Sequence, residues 1–156
     1  MKIYSDLGYT IILLTNGNHI SYWDISLYIQ KHLVGPNKLT NDFDFTKNIV
    51  NQTLKNGYDA GVRAKNNNPD SCTFMEYVTE SFGHITLHNG RLEKAIQLFR
   101  LDTAFSPNSP FAYNVLGDAY KIAGDKKSAI ASYKKHIEHN PGDQDAIKRL
   151  QKYIDN

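Results

Sequence analysis

Along the second half of the chain, apolar residues recur at helical intervals, and turn residues punctuate them. After Pro141, the stretch DQDAIKRLQKYIDN places Ala146, Ile147, Leu150 and Ile154 on one stripe behind Asp143, a helix N-cap by position. Upstream, Ile49, Val50, Leu54, Tyr58 and Val62 recur at helical spacing across a break near Asn56-Gly57, which predicts a helix pair over 46–68. The first forty residues differ in character. IYS, DLG and YTIILLTN read as two short strands joined by a tight turn. SYWDISLYIQKHLVG then sets Trp23, Leu27, Ile29 and Leu33 for an amphipathic helix ended by Gly35-Pro36, and the polar stretch 37–45 reads as a linker.

Between Glu76 and Pro141 the chain repeats itself. Gly83 pairs with Gly117, Gly90 with Gly124, Ala95 with Ala129, Phe99 with Tyr133 and Pro107 with Pro141, all at one constant interval. That interval, about 34 residues, resembles the period of the tetratricopeptide repeat, in which a helix, a tight turn and a second antiparallel helix end at a proline-marked turn. Each repeated residue has a mechanical reason to be there. A mid-helix glycine costs about 1 kcal/mol against alanine, so Gly83 and Gly117 imply a close helix contact in return. Gly90 and Gly124 suit a left-handed helix end, and Pro107 and Pro141 stop the second helix of each unit. The second unit carries Tyr113, Leu116 and Tyr120 at the family's aromatic, leucine and tyrosine places, where the first has Thr79, Phe82 and Thr86.

The expected fold is therefore mainly α: an α–α superhelix of tetratricopeptide-type hairpins with a short N-terminal β-hairpin and helix. Residues 1–36 hold the hairpin and amphipathic helix, 37–45 the linker, and 46–156 the helical domain. Within that domain lie a degenerate pair at 46–68, repeats at 76–109 and 110–143, and a capping helix at 144–156. Three units are the usual minimum for a stable stack, and the degenerate pair supplies the missing cover.

Composition narrows the function. Hydrophobic residues make up 40% and charged residues 22%, ordinary values for a globular protein. The 18 Lys and Arg exceed the 16 Asp and Glu by only two, too few for phosphate neutralisation, so nucleic acid is not an expected partner. Cys72 is the single cysteine, which excludes an intrachain disulfide and a Cys-rich zinc site. The longest apolar run, Ile11 to Leu14, falls far short of the ~20 residues of a membrane helix. No signal peptide is legible at the N-terminus, so the chain as written is expected to stay in the cytoplasm.

The order of strand, LTN, amphipathic helix, linker, helix pair and AIQLF...FSPNSPFAYNVLGDAYKIAGDKKSAIASYKKHIEHNP also resembles the C-terminal end of bacterial serine beta-lactamase-related hydrolases with a tetratricopeptide tail. The resemblance implies an exported parent enzyme with a Ser-x-x-Lys nucleophile, a Tyr-x-Asn element and a Lys-Thr-Gly or His-x-Gly element. Ser132-Tyr-Lys-Lys135 and His88-Asn-Gly90 match two of these literally, but both fall inside repeat elements, and Tyr-x-Asn occurs nowhere. They are read as coincidences. The chain then resembles a detached tail whose catalytic residues lie on missing sequence, the alternative to a free-standing module.

Residues four apart share a helix face. Glu80, His84 and His88 of the first unit should align with Asn114, Asp118 and Lys121 of the second, forming a polar groove for a peptide. His84 and His88 could also grip a divalent metal, but no further ligand is implied, and neither metal nor cofactor is expected. The orphan strands would leave backbone edges open, so the hairpin is expected to pair with that of a second copy or to pack on the chain's own helices. The leading expectation is a non-enzymatic module that binds a protein or peptide partner, with no role at membranes.

Overall fold

The computed structural model describes residues 2–4, 9–11, 35–67 and 71–155. The protein is mainly helical and divides into two compact units, residues 1–41 and 42–156. In the first, Lys2–Tyr4 (β1) and Tyr9–Ile11 (β2) pair antiparallel, with Lys2 opposite Ile11. The hairpin's turn, the rest of its apolar second strand, the helix over Trp23 to Leu33 and any self-association through them lie outside the described residues.

Helices α1 (Lys38–Asn56) and α2 (Tyr58–Asn66) are separated by a break at Gly57. The stretch 37–45 is not a linker: α1 begins at Lys38. Its Asn, Thr and Asp residues resemble a loop in composition, yet they are spent on starting and fastening a helix. The Asn37 carboxamide oxygen accepts from the Thr40 amide at 3.1 Å, and the Asn37 amide donates to the Thr40 hydroxyl at 3.0 Å, a reciprocal cap. One turn on, Asp42 accepts from the Thr73 amide at 2.8 Å and the Thr46 hydroxyl from the Met75 amide at 3.0 Å. These two bonds tie the segment ahead of the next helix to α1.

Two hairpins follow, α3 (Glu76–His88) with α4 (Leu92–Phe105) and α5 (Pro110–Ile122) with α6 (Lys126–His139). Helix α7 (Gln144–Asp155) packs on α6. The hairpins are built alike. A Cβ placed on Gly83 would lie 2.3 Å from the Phe99 ring, and one on Gly117 would lie 2.5 Å from the Tyr133 ring. The aromatic of the second helix thus rests directly on the backbone of the first, and no other residue fits there. Each first helix also ends in the same way. Gly90 and Gly124 adopt φ of +73° and +75°, and the following amide reaches back to Thr86 or Tyr120 at 3.0 Å, satisfying carbonyls the helix leaves open. Ser106 and Asn140, the C-caps ahead of Pro107 and Pro141, leave the helical region, the conformation that a following proline enforces.

Helix α4 is the shared wall. Ala95, Ile96 and Phe99 pack with Val115, Leu116 and Ala119 of α5, while Leu98 and Leu101 pack with Ile49 and Val50 of α1. Tyr120 joins the first cluster, and Tyr113 stacks on His139 with ring centroids 5.5 Å apart. Ala129 is fully buried in α6. On the α1 side a second close approach appears, where a Cβ on Gly61 would meet the Thr53 hydroxyl and Leu101. No helix among the described residues is long and apolar enough to cross a membrane.

Alanine at Gly83 or Gly117 must displace a ring, so each substitution is expected to destabilise the protein by about 1–3 kcal/mol despite its better helix propensity. Urea unfolding monitored by circular dichroism measures this. A midpoint equal to or above that of the parent chain would show that the rings do not depend on these glycines.

Candidate functional site

The faces of α3, α5 and α7 follow the same repeat step. Glu80, Asn114 and Lys148 occupy one equivalent place, and His84, Asp118 and Lys152 the next. On α5 the residues Phe111, Asn114, Asp118, Lys121 and Ile122 share one side, being separated by three or four residues or by whole turns. On α3 the same side carries Tyr77, Glu80, His84 and His88.

Asn114, Asp118 and Lys121 line one cavity of about 330 Å³ with Tyr133, Arg149, Leu150, Lys152 and Tyr153. Its floor is apolar, and its rim holds three cations against one carboxylate. That carboxylate is engaged: the Tyr133 hydroxyl donates to Asp118 Oδ1 at 2.7 Å. Burial, and after it the Asp118 bond, push the Tyr133 phenol well above its usual range, so it remains a donor at any physiological pH. The Lys121 ammonium lies over the Tyr153 ring, 5.6 Å from its centroid, with that of Lys126 at 5.7 Å.

Glu80, His84 and His88 do not line this cavity. Glu80 Oε1 and His84 Nε2 are 3.3 Å apart, and the His84 ring stands edge-on to Phe99, 5.3 Å between centroids. His88 is exposed at the end of α3. Among the described residues no group of three or more His, Cys, Asp or Glu is placed to hold a metal ion. The Ser132 hydroxyl donates to the Ser128 carbonyl of its own helix at 2.9 Å, and the Lys135 ammonium pairs with Glu138 at 2.8 Å. Serine and lysine are each committed elsewhere and not to one another.

Three apolar side chains that sequence reasoning missed belong to these faces. Tyr77, Phe111 and Ile122 are exposed, Ile122 by 61% and Phe111 by 50%. Tyr77 and Phe111 are themselves one repeat period apart, so the repeat carries an exposed aromatic on the first turn of each first helix. Their helical spacing beside other apolar residues does not distinguish them from core. The repeat alignment was the signal that could have found them.

Beneath α3 lies a buried acid. Asp102 has no solvent exposure, and neither of its carboxyl oxygens has a hydrogen-bond partner in the described protein; the Thr79 hydroxyl is likewise unpartnered. Burial first, then the charges of Glu76 and Glu80, raise the Asp102 carboxyl well above its usual range. In the second repeat the equivalent residue is His136, whose Nδ1 lies 2.8 Å from the Pro110 carbonyl and Nε2 3.0 Å from Asp143 Oδ2. Asp143 in turn caps α7 by accepting from the Ala146 amide at 2.8 Å. The equivalent cap of α5 is Ser109, which accepts from the Ala112 amide and donates to Glu76.

No protein-family model matches the chain, and a search of curated proteins returned no match.

Because the folded carboxyl of Asp102 holds its proton to higher pH than the unfolded one, the stability contributed by this group is fully present below the ordinary carboxylate range. It falls as pH rises through the raised folded value. Asp102→Asn is expected to raise the melting temperature at pH 7–8 and to change it little near pH 4. Thermal unfolding across that range measures the difference. A variant that lowers the midpoint equally at both ends would remove the acid from the pH dependence.

Proposed function

We propose that this protein is a non-enzymatic, tetratricopeptide-type α–α superhelical module that binds a segment of a protein partner across the parallel faces of α3, α5 and α7. One observation carries the reading. Of the four large apolar side chains that stand exposed among the described residues, three (Tyr77, Phe111 and Ile122) fall on these faces, beside Glu80, His84, Asn114, Asp118 and Lys121. Apolar side chains gathered on a polar-rimmed surface mark a contact site, whereas scattered ones do not. The helices beneath are fixed through α4, so the faces are presented without prior ordering, which lowers the entropic cost of association.

An extended peptide suits three parallel helix faces. It can lay one side chain between the first-turn aromatics and another into the cavity beside Tyr133. Burying an exposed aromatic contributes about 1.5–3 kcal/mol.

The experiment is selection of peptides from a displayed random library against the full chain, followed by titration of the selected peptides. Phe111→Ala and Ile122→Ser are expected to weaken the selected peptides by about tenfold or more, with thermal stability unchanged because both side chains are exposed. Selected peptides whose affinity ignores both substitutions, and which shift no amide resonance of α3, α5 or α7, would move binding to another surface.

A further inference from the structure

Charged side chains are unevenly distributed between α3 and the cavity beside α7. At the α3 end stand Glu76 and Glu80, over Asp102, whose carboxyl is disfavoured as an anion first by burial and then by those two glutamates. At the α7 end the cavity rim carries Lys121, Arg149 and Lys152 against the single Asp118, itself bound by Tyr133. The three equivalent positions on successive first helices read Glu80, Asn114 and Lys148, an acid, an amide and a cation. The neighbouring equivalent place reads Tyr77, Phe111 and Asp145, so the cationic character of the α7 end is carried by the cavity rim and Lys148, within a chain whose formal charge is only +2. Exposed Phe111 lies on the helix between the two ends.

Resting on the peptide-binding reading above, we propose that the partner is an extended, charge-segregated segment: a basic residue over α3, an apolar residue at Phe111 and an acidic residue at the α7 cavity. The spacing follows from the helices. Two interhelical steps of about 8–10 Å separate α3 from α7, and an extended chain advances about 3.3 Å per residue, so the opposite charges stand about five or six residues apart. A uniformly acidic segment is repelled by Glu76 and Glu80, and a uniformly basic one by the α7 end. The polarity therefore selects among partners as well as attracting one.

The test uses the full chain and fluorescent peptides of about nine residues with a common apolar centre, a length set by the span above. They carry two lysines at one end and two glutamates at the other, in both chain directions. Controls are a peptide of the same composition with alternating charges, an all-lysine version and an all-glutamate version. The better segregated peptide is expected to bind about tenfold tighter than the alternating one, with the advantage falling as salt rises.

Glu80→Lys should weaken the segregated peptide and strengthen the all-glutamate one. Lys152→Glu, or Lys148→Glu at the equivalent exposed place, should weaken the segregated peptide and strengthen the all-lysine one. Circular dichroism confirms that each variant is folded. Equal binding of segregated and alternating peptides would overturn the polarity while leaving the groove as a binding site. Failure of every peptide to bind the folded chain would overturn both.

Discussion

Everything in the helical unit depends on how closely the two helices of a hairpin approach, and that is set by a ring lying on a glycine. Phe99 occupies the space that a side chain at Gly83 would take, and Tyr133 does the same at Gly117. Glycine in place of alanine weakens the helix locally by about 1 kcal/mol. In exchange one edge of the ring seats against the backbone of the first helix, and the hairpin acquires one preferred spacing and register. Because the contact recurs one repeat later, the next hairpin is built to the same dimensions. The faces of α3 and α5 consequently present their exposed residues in parallel.

That spacing makes α4 a two-sided helix. One side carries Ala95, Ile96 and Phe99 toward α5, the other Leu98 and Leu101 toward α1. A helix that is apolar over so much of its circumference is stable only between neighbours, which is how repeat stacks hold together. The α1–α2 pair supplies the second neighbour, and it is fastened in three ways. Asp42 and Thr46 hold the incoming loop, Gly61 admits Thr53 and Leu101, and the Lys94 ammonium donates to the Leu54 carbonyl at 2.6 Å, satisfying a free carbonyl near the end of α1.

What the sequence revealed was whatever repeats. The glycine, aromatic and proline pairs are legible because two copies at one fixed interval point to a shared mechanical cause, and each pair does the same thing in both hairpins. Unrepeated features were harder to read. Gly61 has no glycine partner at that interval, so nothing in the sequence separates it from any glycine in a short helix. The start of α1 was missed because Asn37, Thr40, Asp42 and Thr46 have the composition of a loop, while their hydrogen bonds are those of a capped helix with hydroxyls turned onto neighbouring backbone. For the groove, the polar positions of α5 were visible from four-residue spacing. Tyr77 and Phe111 were not, since an aromatic at helical spacing is usually core, and only its accessibility distinguishes the two cases.

The two joints between units are chemically unequal. At the second joint, His136 links the Pro110 carbonyl to Asp143, and Asp143 caps α7, so the histidine and the acid are both partnered. At the first joint the equivalent place holds Asp102, buried without a partner beside two glutamates. The first joint therefore carries a buried polar cost that the second does not, set against the apolar contact of Ala95, Ile96 and Phe99 with Val115, Leu116 and Ala119. Glu76 and Glu80, whose charges add to that cost, both belong to α3. Neutralising Glu80 would lower the cost of ionising Asp102, whereas neutralising Glu76 would also disturb its bond to Ser109. A cationic group seated over α3 would offset the same repulsion, so binding at that end and stability of the joint are coupled through one cluster of carboxylates.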